Sequence, residues 1–393
     1  MTRKFFSIII FIIGFLFFNQ VQIYSETIIS IGNDGLNGSE NLLSVGVMDY
    51  LLYVGTYTPN GTGISIYSMN TKTGLLKYLG ISPNVSNPSF IAIHPNKKWL
   101  FTVGENNDGT LSSFKIKDSL TLEFINTIPS TGQGPCYLSI DNSGKYLLTS
   151  HYNSGSVTSV PINPDGSLGK AVSIISNSAT SINKERQSAP HAHSIIPYFS
   201  NNLIYSADLG ADLIYCYKID TTSGKLSSIS KTSITAGSGP RHIAFHPIKN
   251  WVYELNELSR TVECFLIDSD SGELTYLNTF PIVNDNGDGA LAADIHITPS
   301  GSYLYASVRD PENIIAVFSI NEQNGSLTLI EKIPSGGKTP RNFAIDPSGR
   351  FLLVGNQNSN DIIIFSIDQK SGKLNQVGDA VAVPSPVCIK FMD

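Results

Sequence analysis

Short apolar runs alternate with polar turns along most of the chain, and the pattern repeats about every fifty residues. Two clear copies read GPRHIAFHPIKNWVYELNELSRTVECFLIDSDSGELTYL from Gly239 and TPRNFAIDPSGRFLLVGNQNSNDIIIFSIDQKSGKLNQV from Thr339. Each copy predicts four short strands: one that opens at a proline, a second with a polar tip, a third ending in Ile-Asp, and a fourth after a Gly-Lys/Glu-Leu turn. Such a unit cannot bury both of its faces alone, so it must stack on neighbouring copies.

The number of copies follows from their opening residues. Seven openings are found, at Pro88, Pro135, Pro190, Pro240, Ala292, Pro340 and Pro386. After Pro386 only one strand of sequence remains, whereas the segment from Leu51 supplies three strands without an opening one. We therefore predict an all-β fold, a single seven-bladed β-propeller whose C-terminal strand closes the ring by pairing with the N-terminal blade.

The first fifty residues or so lie outside the repeats. Arg3 and Lys4 precede the apolar run FFSIIIFIIGFLFF, and a polar stretch follows, which is the order found in a secretory signal. We expect residues 1–25 to be a cleaved signal peptide, with an uncleaved anchor as the alternative, 26–49 a mobile lead-in, and 50–393 the propeller domain. A secreted, lumenal or periplasmic location follows. The candidate glycosylation sequons are Asn37, Asn60, Asn84 and Asn324.

Composition removes several classes of partner. The formal charge is −6 and only 15% of residues are charged, which argues against nucleic acid and against a basic membrane-binding patch. The four cysteines have no metal-ligand spacing and are expected to be buried thiols. A bridge between Cys216 and Cys264, at equivalent places in adjacent blades, stays open as an alternative.

Arginine is placed selectively, with seven residues against nineteen lysines. Arg241 and Arg341 directly follow an opening proline, Arg309 stands at a polar tip, and Arg186 precedes the PHAH motif. Because a guanidinium grips a carboxylate or phosphate with two parallel donors, arginines aimed at one channel predict an anionic ligand. Arg260 and Arg350 are interpreted as turn residues, and His94 and His246, each before a turn proline, as structural hydrogen-bonding groups.

Positions that diverge between blades mark the candidate site. In a propeller, the opening strands line the central channel and the loops after the second strands reach its mouth. The residues after the openings are Ser89, Cys136, His191, Arg241, Ala293, Arg341 and Val387, and the tips carry Glu105, His151, Asp208, Asn256–Glu257, Arg309 and Asn356–Gln357. They differ in nearly every blade and are mostly polar, which favours a ligand site over a solvated channel without one.

Many motifs in order resemble one family: YVGTYT, NPSFIAIHP, PHAHS, ADLGAD, GSGPRHIAFHP, NELSRTV, ADIHITPSG and PSPVCIKF. From Leu51 to Asp393 the chain resembles the seven-bladed propeller lactonases, which include 6-phosphogluconolactonases and carboxy-cis,cis-muconate cyclases. The resemblance to the cyclases implies a catalytic set of His191, Arg241, Glu257 and, less directly, Arg309. We expect the remaining polar positions to bind substrate: Arg341, Arg186, His151, His193, His242, Asp208, Glu105 and Gln357.

These residue types give the expected chemistry. Arg241 and Arg309 would hold the anion and stabilise an oxyanion, His191 would move the proton, and Glu257 would orient the histidine or share its work. No covalent nucleophile, metal site or cofactor is expected. The protein is expected to be a monomer. Two tips depart from the relatives, with His151-Tyr152 where Asn-Tyr is common and Val308-Arg309 where Asn-Arg is.

Three functions follow as hypotheses. The first is hydrolysis of an anionic sugar-type lactone, with 6-phosphogluconolactone as the family's default substrate. The second is a lactonising, muconate-type cyclase that uses the same residues to close a ring. The third is a non-catalytic propeller that binds an acidic ligand or a protein. Phosphorylated sugar lactones are cytoplasmic metabolites, so the signal sequence conflicts with the default substrate, and kinship of fold does not transfer a substrate.

Overall fold

The computed structural model describes residues 49–61, 63–82, 85–117, 121–283 and 289–392. The expected signal peptide and nearly all of the expected lead-in lie outside these ranges, as do the sequons at Asn37 and Asn84. Within them the chain is built from strands and contains no α-helix. No helix in the described ranges is therefore long and apolar enough to span a membrane.

The strands form seven antiparallel sheets, the blades, each running outward from the central channel. The first three blades contain β1 (Tyr50–Thr56), β2 (Ser65–Met69), β3 (Leu76–Ile81), β4 (Ile91–Ile93), β5 (Trp99–Gly104), β6 (Thr110–Lys117), β7 (Thr121–Pro129), β8 (Pro135–Ile140), β9 (Tyr146–His151), β10 (Ser156–Pro161) and β11 (Ser173–Ser176). The next two contain β12 (Ile196–Pro197), β13 (Leu203–Asp208), β14 (Leu213–Ile219), β15 (Leu226–Ser233), β16 (Pro240–Phe245), β17 (Trp251–Asn256), β18 (Thr261–Ile267) and β19 (Leu274–Pro281).

The last two blades complete the ring. They contain β20 (Ala292–Ile297), β21 (Tyr303–Val308), β22 (Ile314–Ile320), β23 (Leu327–Pro334), β24 (Pro340–Ile345), β25 (Phe351–Asn356), β26 (Asp361–Ile367), β27 (Leu374–Gln376) and the short β28 (Val381–Ala382). The final strand, β29 (Pro386–Met392), pairs with β1, so that Leu52 lies opposite Phe391 and Val54 opposite Ile389. The predicted seven blades and their closure by the C-terminal strand are confirmed.

Two of the seven openings differ from the prediction that each strand begins at its proline. In blade two the strand begins at Ile91, three residues after Pro88. In blade four it begins only at Ile196, six residues after Pro190. There the Asp208 carboxylate takes the place of a ladder acceptor, because Oδ1 accepts a 2.7 Å hydrogen bond from the His191 backbone N–H. The PHAH segment is still joined to β13, because His193 N–H donates to the Ala207 carbonyl and Leu209 N–H donates to the His191 carbonyl.

The apolar core lies between neighbouring blades and does not form one central cluster. Each cluster of buried side chains joins neighbouring blades, as where Leu255 and Val262 of blade five pack with Ile295 and Leu304 of blade six. Burying a side chain of this size contributes about 1.5–3 kcal/mol. Every blade therefore stabilises both of its neighbours.

A recurrent tyrosine joins successive blades. Tyr253 donates to the Gly325 carbonyl of the next blade at 2.8 Å, and Tyr305 donates likewise to Gly372. The acceptor glycines have φ near +73° and +72°, a left-handed conformation that other residues adopt only with strain. The left-handed conformation of this turn explains why glycine recurs at the same place in these copies.

His94 and His246, expected to be structural, form hydrogen bonds between neighbouring blades. His94 Nε2 contacts the Gly144 carbonyl oxygen of the next blade at 2.8 Å, and His246 Nε2 contacts that of Gly301 at 3.1 Å. All four cysteines are buried and free, so the open alternative of a Cys216–Cys264 bridge is not realised.

Candidate active site at one mouth of the channel

The first residues after the second strands converge on one mouth of the central channel. Glu105, Tyr152, Glu257 and Arg309 follow β5, β9, β17 and β21 directly. Together with residues from two opening strands and the β11–β12 loop, they enclose a cavity of about 160 Å³, called here the arginine cavity. Its lining is Glu105, Cys136, Tyr152, Arg186, His193, Glu257, Arg309 and Arg341.

Glu257 holds three guanidinium groups. Its Oε1 accepts a 2.7 Å bond from Arg186 Nη2, and its Oε2 accepts a 2.9 Å bond from Arg241 Nε. Arg309 Nη2 lies 3.1 Å from the same Oε2. Arg309 also donates to the carbonyls of Leu291 and Ala292, which fixes the plane of its guanidinium. One buried carboxylate therefore sets the positions of three cations.

A second chain of contacts crosses the cavity. Arg341 Nη2 donates to the Tyr57 hydroxyl at 3.0 Å, and that hydroxyl donates to Glu105 Oε2 at 2.7 Å. The Arg341 guanidinium also lies 5.3 Å from the centre of the Tyr57 ring. Only one of its five N–H groups is used in a hydrogen bond within the described part of the chain, so the others are available to a ligand.

The site carries an excess of positive charge. Burial alone would raise the pKa of Glu257, but the guanidinium groups, Arg309 most strongly, lower it to about 2. Burial lowers the pKa of Arg309 to about 10, which leaves it protonated at neutral pH. Counting Arg186, Arg241, Arg309 and Arg341 against Glu105 and Glu257 gives four cations and two carboxylates, a surplus of two positive charges.

Of the two histidines in PHAH, the second lines the cavity. His193 is 5% exposed, and its Nδ1 is buried without a hydrogen-bond partner in the described ranges. Burial, reinforced by the charge of Arg241, holds the pKa of His193 well below its ordinary value, so the ring is neutral. His191 instead stacks on the Tyr152 ring at 4.3 Å, and its Nδ1 donates to the Tyr152 carbonyl at 2.7 Å.

Arg241 and His242 lead away from the cavity along the channel. Arg241 Nη1 donates to the Ala293 carbonyl and to His242 Nε2, and His242 Nδ1 donates in turn to Asp294 Oδ1 at 2.8 Å. Asp294 Oδ2 is bonded to His296 Nε2 at 3.0 Å and to Asn342. Burial lowers the pKa of His242 to about 4. The side chain of His242 is therefore a neutral link between an arginine and a carboxylate.

Four predicted substrate-binding residues lie outside the lining of the arginine cavity: His151, His242, Asp208 and Gln357. His151 and Asp208 are the last residues of β9 and β13. His151 stands one position before Tyr152, which reaches the cavity, and alternation along a strand turns it to the other face. Both ring nitrogens of His151 contact backbone carbonyls, of Ser156 and Ser130, each at 3.1 Å. Gln357 is in the tip position but is not part of the lining.

Two residues at the site, Tyr57 and Tyr152, are not among those predicted from the sequence. Both are the first residue after a second strand, the same position as Glu105 and Glu257. Aligning the blades by the residue that follows each second strand would have found them. Cys136, which also lines the cavity, did appear at the position after an opening proline.

This arrangement can bind a small anion and place a neutral imidazole beside it. The described residues contain no group of three or more histidine, cysteine, aspartate or glutamate side chains arranged to hold a metal ion. The fold and site thus define a propeller with an anion-binding cavity at one channel mouth.

Comparison with known proteins gives the family. Residues 51–391 match the family model described as lactonase, 7-bladed beta-propeller, and the chain belongs to that family. It is 37% identical to a 6-phosphogluconolactonase of Formosa agariphila over 84% of this chain and 96% of the relative, and 33% identical to one of Bacillus subtilis over 87% and 98%. Among solved structures, it is similar to a periplasmic gluconolactonase of Pseudomonas aeruginosa, with a TM-score of 0.83, 30% identity, and coverage of 88% and 99%.

Proposed function

We propose that this protein is a lactonase that hydrolyses the internal ester of an anionic sugar-type lactone, with 6-phosphogluconolactone as the first substrate to test. The observation that carries the proposal is the arginine cavity, which together with Arg241, bound to the same Glu257, has a surplus of two positive charges beside the neutral ring of His193. The relatives named 6-phosphogluconolactonase support the reaction class.

The charge of the cavity supports a phosphorylated substrate. A phosphate monoester carries about −1.5 to −2 charges at pH 7, which matches the surplus of two. Arg186 is the arginine closest to solvent, with 32% of its side chain exposed, and Arg309 is 14% exposed. These two would hold the phosphate near the mouth through paired N–H donors. The sugar ring would then extend inward toward His193.

The deeper groups supply the chemistry. His193 would take a proton from water as its oxygen attacks the lactone carbonyl, since a neutral imidazole is a base. Arg341 would stabilise the oxyanion that forms on the carbonyl oxygen. Glu257 orients three arginines and is ionised, so it would position these groups rather than transfer a proton. His191, which the sequence predicts as catalytic, would instead hold Tyr152 in place in the lining of the arginine cavity.

Export through the N-terminal segment is part of the proposal, and an exported enzyme would have to meet a phosphorylated lactone outside the cytoplasm. Residues 1–25 would be removed as a signal peptide, and the solved relative described as periplasmic is compatible with this location. N-terminal sequencing of protein recovered from the exported fraction tests it. A mature chain beginning near residue 26 is expected, and intact Met1 in the cytoplasmic fraction would contradict export.

A pH-stat assay on the purified chain tests the activity. Three lactones are compared: 6-phosphogluconolactone, unphosphorylated gluconolactone, and a lactone bearing a carboxylate. We expect the fastest proton release with the phosphorylated lactone. Ring closure of a muconate in place of hydrolysis would favour the cyclase hypothesis, and binding of the acid product without turnover of any lactone would favour a binding propeller.

A further inference from the structure

The channel narrows beside the arginine cavity to a gap of about 10 Å³, which is room for one water molecule. Glu105, Cys136, His193 and Arg341 line both the gap and the arginine cavity, so the two spaces adjoin. On its other side the gap is lined by residues that also line a pocket of about 330 Å³. Those shared residues are Phe90, His242 and Asn342.

The larger pocket, called here the opposite-mouth pocket, opens at the other end of the channel. Its lining includes Phe245 and Ile297, the last residues of β16 and β20, and Pro247 and Pro299 in the turns that follow. The arginine cavity is lined from the beginnings of opening strands, as by Arg341 of β24. The gap therefore lies between two mouths on opposite faces of the ring.

Two polar atoms in the lining of the gap are without a partner in the described ranges. Ser89 Oγ and His193 Nδ1 are both buried without a hydrogen bond, and their residues are only 4% and 5% exposed. Leaving such atoms unpaired is costly, and a buried water molecule is the usual remedy where the space is polar and large enough. A hydroxyl and a ring nitrogen both suit water well, since water both donates and accepts, and Nδ1 is an acceptor in the tautomer that carries its proton on Nε2.

We propose that this gap binds the hydrolytic water molecule, held between Ser89 Oγ and His193 Nδ1, and that the opposite-mouth pocket replenishes it while substrate fills the arginine cavity. The inference rests on the proposed lactonase function. The substrate would close the mouth through which it entered, so each turnover needs water from another direction. The gap shares lining residues with both the arginine cavity and the opposite-mouth pocket, which places it on the route proposed for the water.

The step balances as ordinary ester hydrolysis. The water oxygen forms a bond to the lactone carbonyl carbon while its proton passes to His193 Nδ1. The tetrahedral oxyanion then collapses, the bond from carbon to the ring oxygen breaks, and the ring oxygen takes the proton from His193. The product is the open-chain hydroxy acid, which loses its acidic proton to solvent, and His193 returns to its neutral form.

Competition between water and methanol tests this route. A gap that fits one water excludes methanol, so wild-type protein in dilute methanol should give the acid with almost no methyl ester. Ser89→Ala enlarges the gap and should raise the methyl ester fraction at least tenfold. Ser206→Ala is the matched control, because Ser206 Oγ is also buried and unpartnered but lies on β13 away from the gap, and its product ratio should equal that of wild type.

A second variant blocks the route. Ser89→Val should lower kcat at least tenfold with KM within twofold, in protein whose melting curve stays cooperative. Wild-type kcat in Ser89→Val, or methyl ester formed by wild type in proportion to the methanol present, would overturn the proposal.

A crystal structure separates this inference from the proposed function. Density for a water between Ser89 Oγ and His193 Nδ1 is expected. An empty gap in an active lactonase would overturn the water site alone. An occupied gap in a protein that hydrolyses none of the three lactones would overturn the proposed function and, with it, the hydrolytic role of the water.

Discussion

The two mouths of the channel differ in how their buried carboxylates are used. At the arginine cavity, Glu257 binds three guanidinium groups that still have donors left for a ligand. At the opposite-mouth pocket, Asp294 is bonded to His242, His296 and Asn342, and the polar groups largely satisfy one another. The opposite-mouth pocket is the larger, about 330 Å³ against 160 Å³. Convergent donors, rather than volume, therefore distinguish the cavity proposed to bind substrate.

The two networks meet at consecutive residues of one strand. Arg241 belongs to the Glu257 network and His242 to the Asp294 network, and Arg241 Nη1 lies 3.1 Å from His242 Nε2. Changes that neutralise one carboxylate or the other can therefore tell the two roles apart.

The largest expected effect comes from Glu257→Gln. Removing the negative charge leaves arginines close together in a buried site, which should reduce the free energy of unfolding by about 4 kcal/mol. Inorganic phosphate should restore part of this stability, because it supplies the missing negative charge to the native state.

Thermal melts with and without phosphate measure this effect, with Asp294→Asn as the matched variant. Asp294→Asn should also melt lower than wild type, but phosphate should raise its Tm no more than it raises that of wild type. An equal rise in all three proteins would contradict the difference drawn between the two mouths.

Acid should destabilise the fold through buried neutral histidines. Burial lowers the pKa of His151 to about 4, whereas an unfolded histidine has a pKa of 6.5. Between these values the unfolded chain binds the extra proton, so stability is present above pH 6.5 and is lost as pH falls toward 4. The loss from His151 alone is about 3 kcal/mol at pH 4.

Urea unfolding at pH 7 and pH 4 checks this loss. In His151→Gln the decrease in unfolding free energy between the two pH values should be smaller than in wild type. An unchanged decrease would show that His151 is already protonated in the fold or does not titrate in this range.

The two histidines of PHAH should differ in catalysis. His193→Gln should lower kcat about 100-fold, because the proton acceptor is lost, whereas His191→Gln should lower it less than threefold. His193 must be neutral to accept a proton, and its pKa is held well below the ordinary value. The rate should therefore stay level as pH falls through 6.5 and decline only in more acidic solution. The reverse order of the two variants in steady-state kinetics would assign proton transfer to His191.

A smaller effect is expected from Arg241→Lys. Lysine keeps the charge but cannot donate at once to Glu257, Ala293 and His242 in the planar geometry of a guanidinium. We expect kcat/KM to fall about tenfold, equivalent to about 1.4 kcal/mol of transition-state stabilisation. A kcat/KM within twofold of wild type would remove Arg241 from the positioning network.

The fold can be predicted from the sequence because each repeat shows the strands and turns of one blade. Strand number, turn glycines and the missing opening strand of blade one together predict seven blades and the closure by β29, and the structure agrees. Selective placement of arginine also predicts an anion site, and the four singled out, Arg186, Arg241, Arg309 and Arg341, gather around Glu257 and the arginine cavity.

It is harder to predict from the sequence on which face of a strand a particular side chain lies. His151 ends its strand, and a shift of one residue turns a side chain to the other face, so it lies behind the cavity rather than in it. His191 and His193 are two residues apart and would share a face in a regular strand. The Asp208 carboxylate accepts the His191 N–H, and the regular strand begins only at Ile196, so the two-residue period alone does not tell which of the two rings reaches the cavity.

Titration calorimetry with 6-phosphogluconate, the product of the proposed reaction, tests the central claim most directly. Arg309→Gln removes a cation from the arginine cavity, and Lys390→Gln removes one from the opposite-mouth pocket, where the Lys390 ammonium lies 4.8 Å from the centre of the Phe90 ring. We predict one binding site, at least tenfold weaker in Arg309→Gln and unchanged in Lys390→Gln. Weaker binding in Lys390→Gln with wild-type affinity in Arg309→Gln would place the ligand at the other mouth and contradict the account.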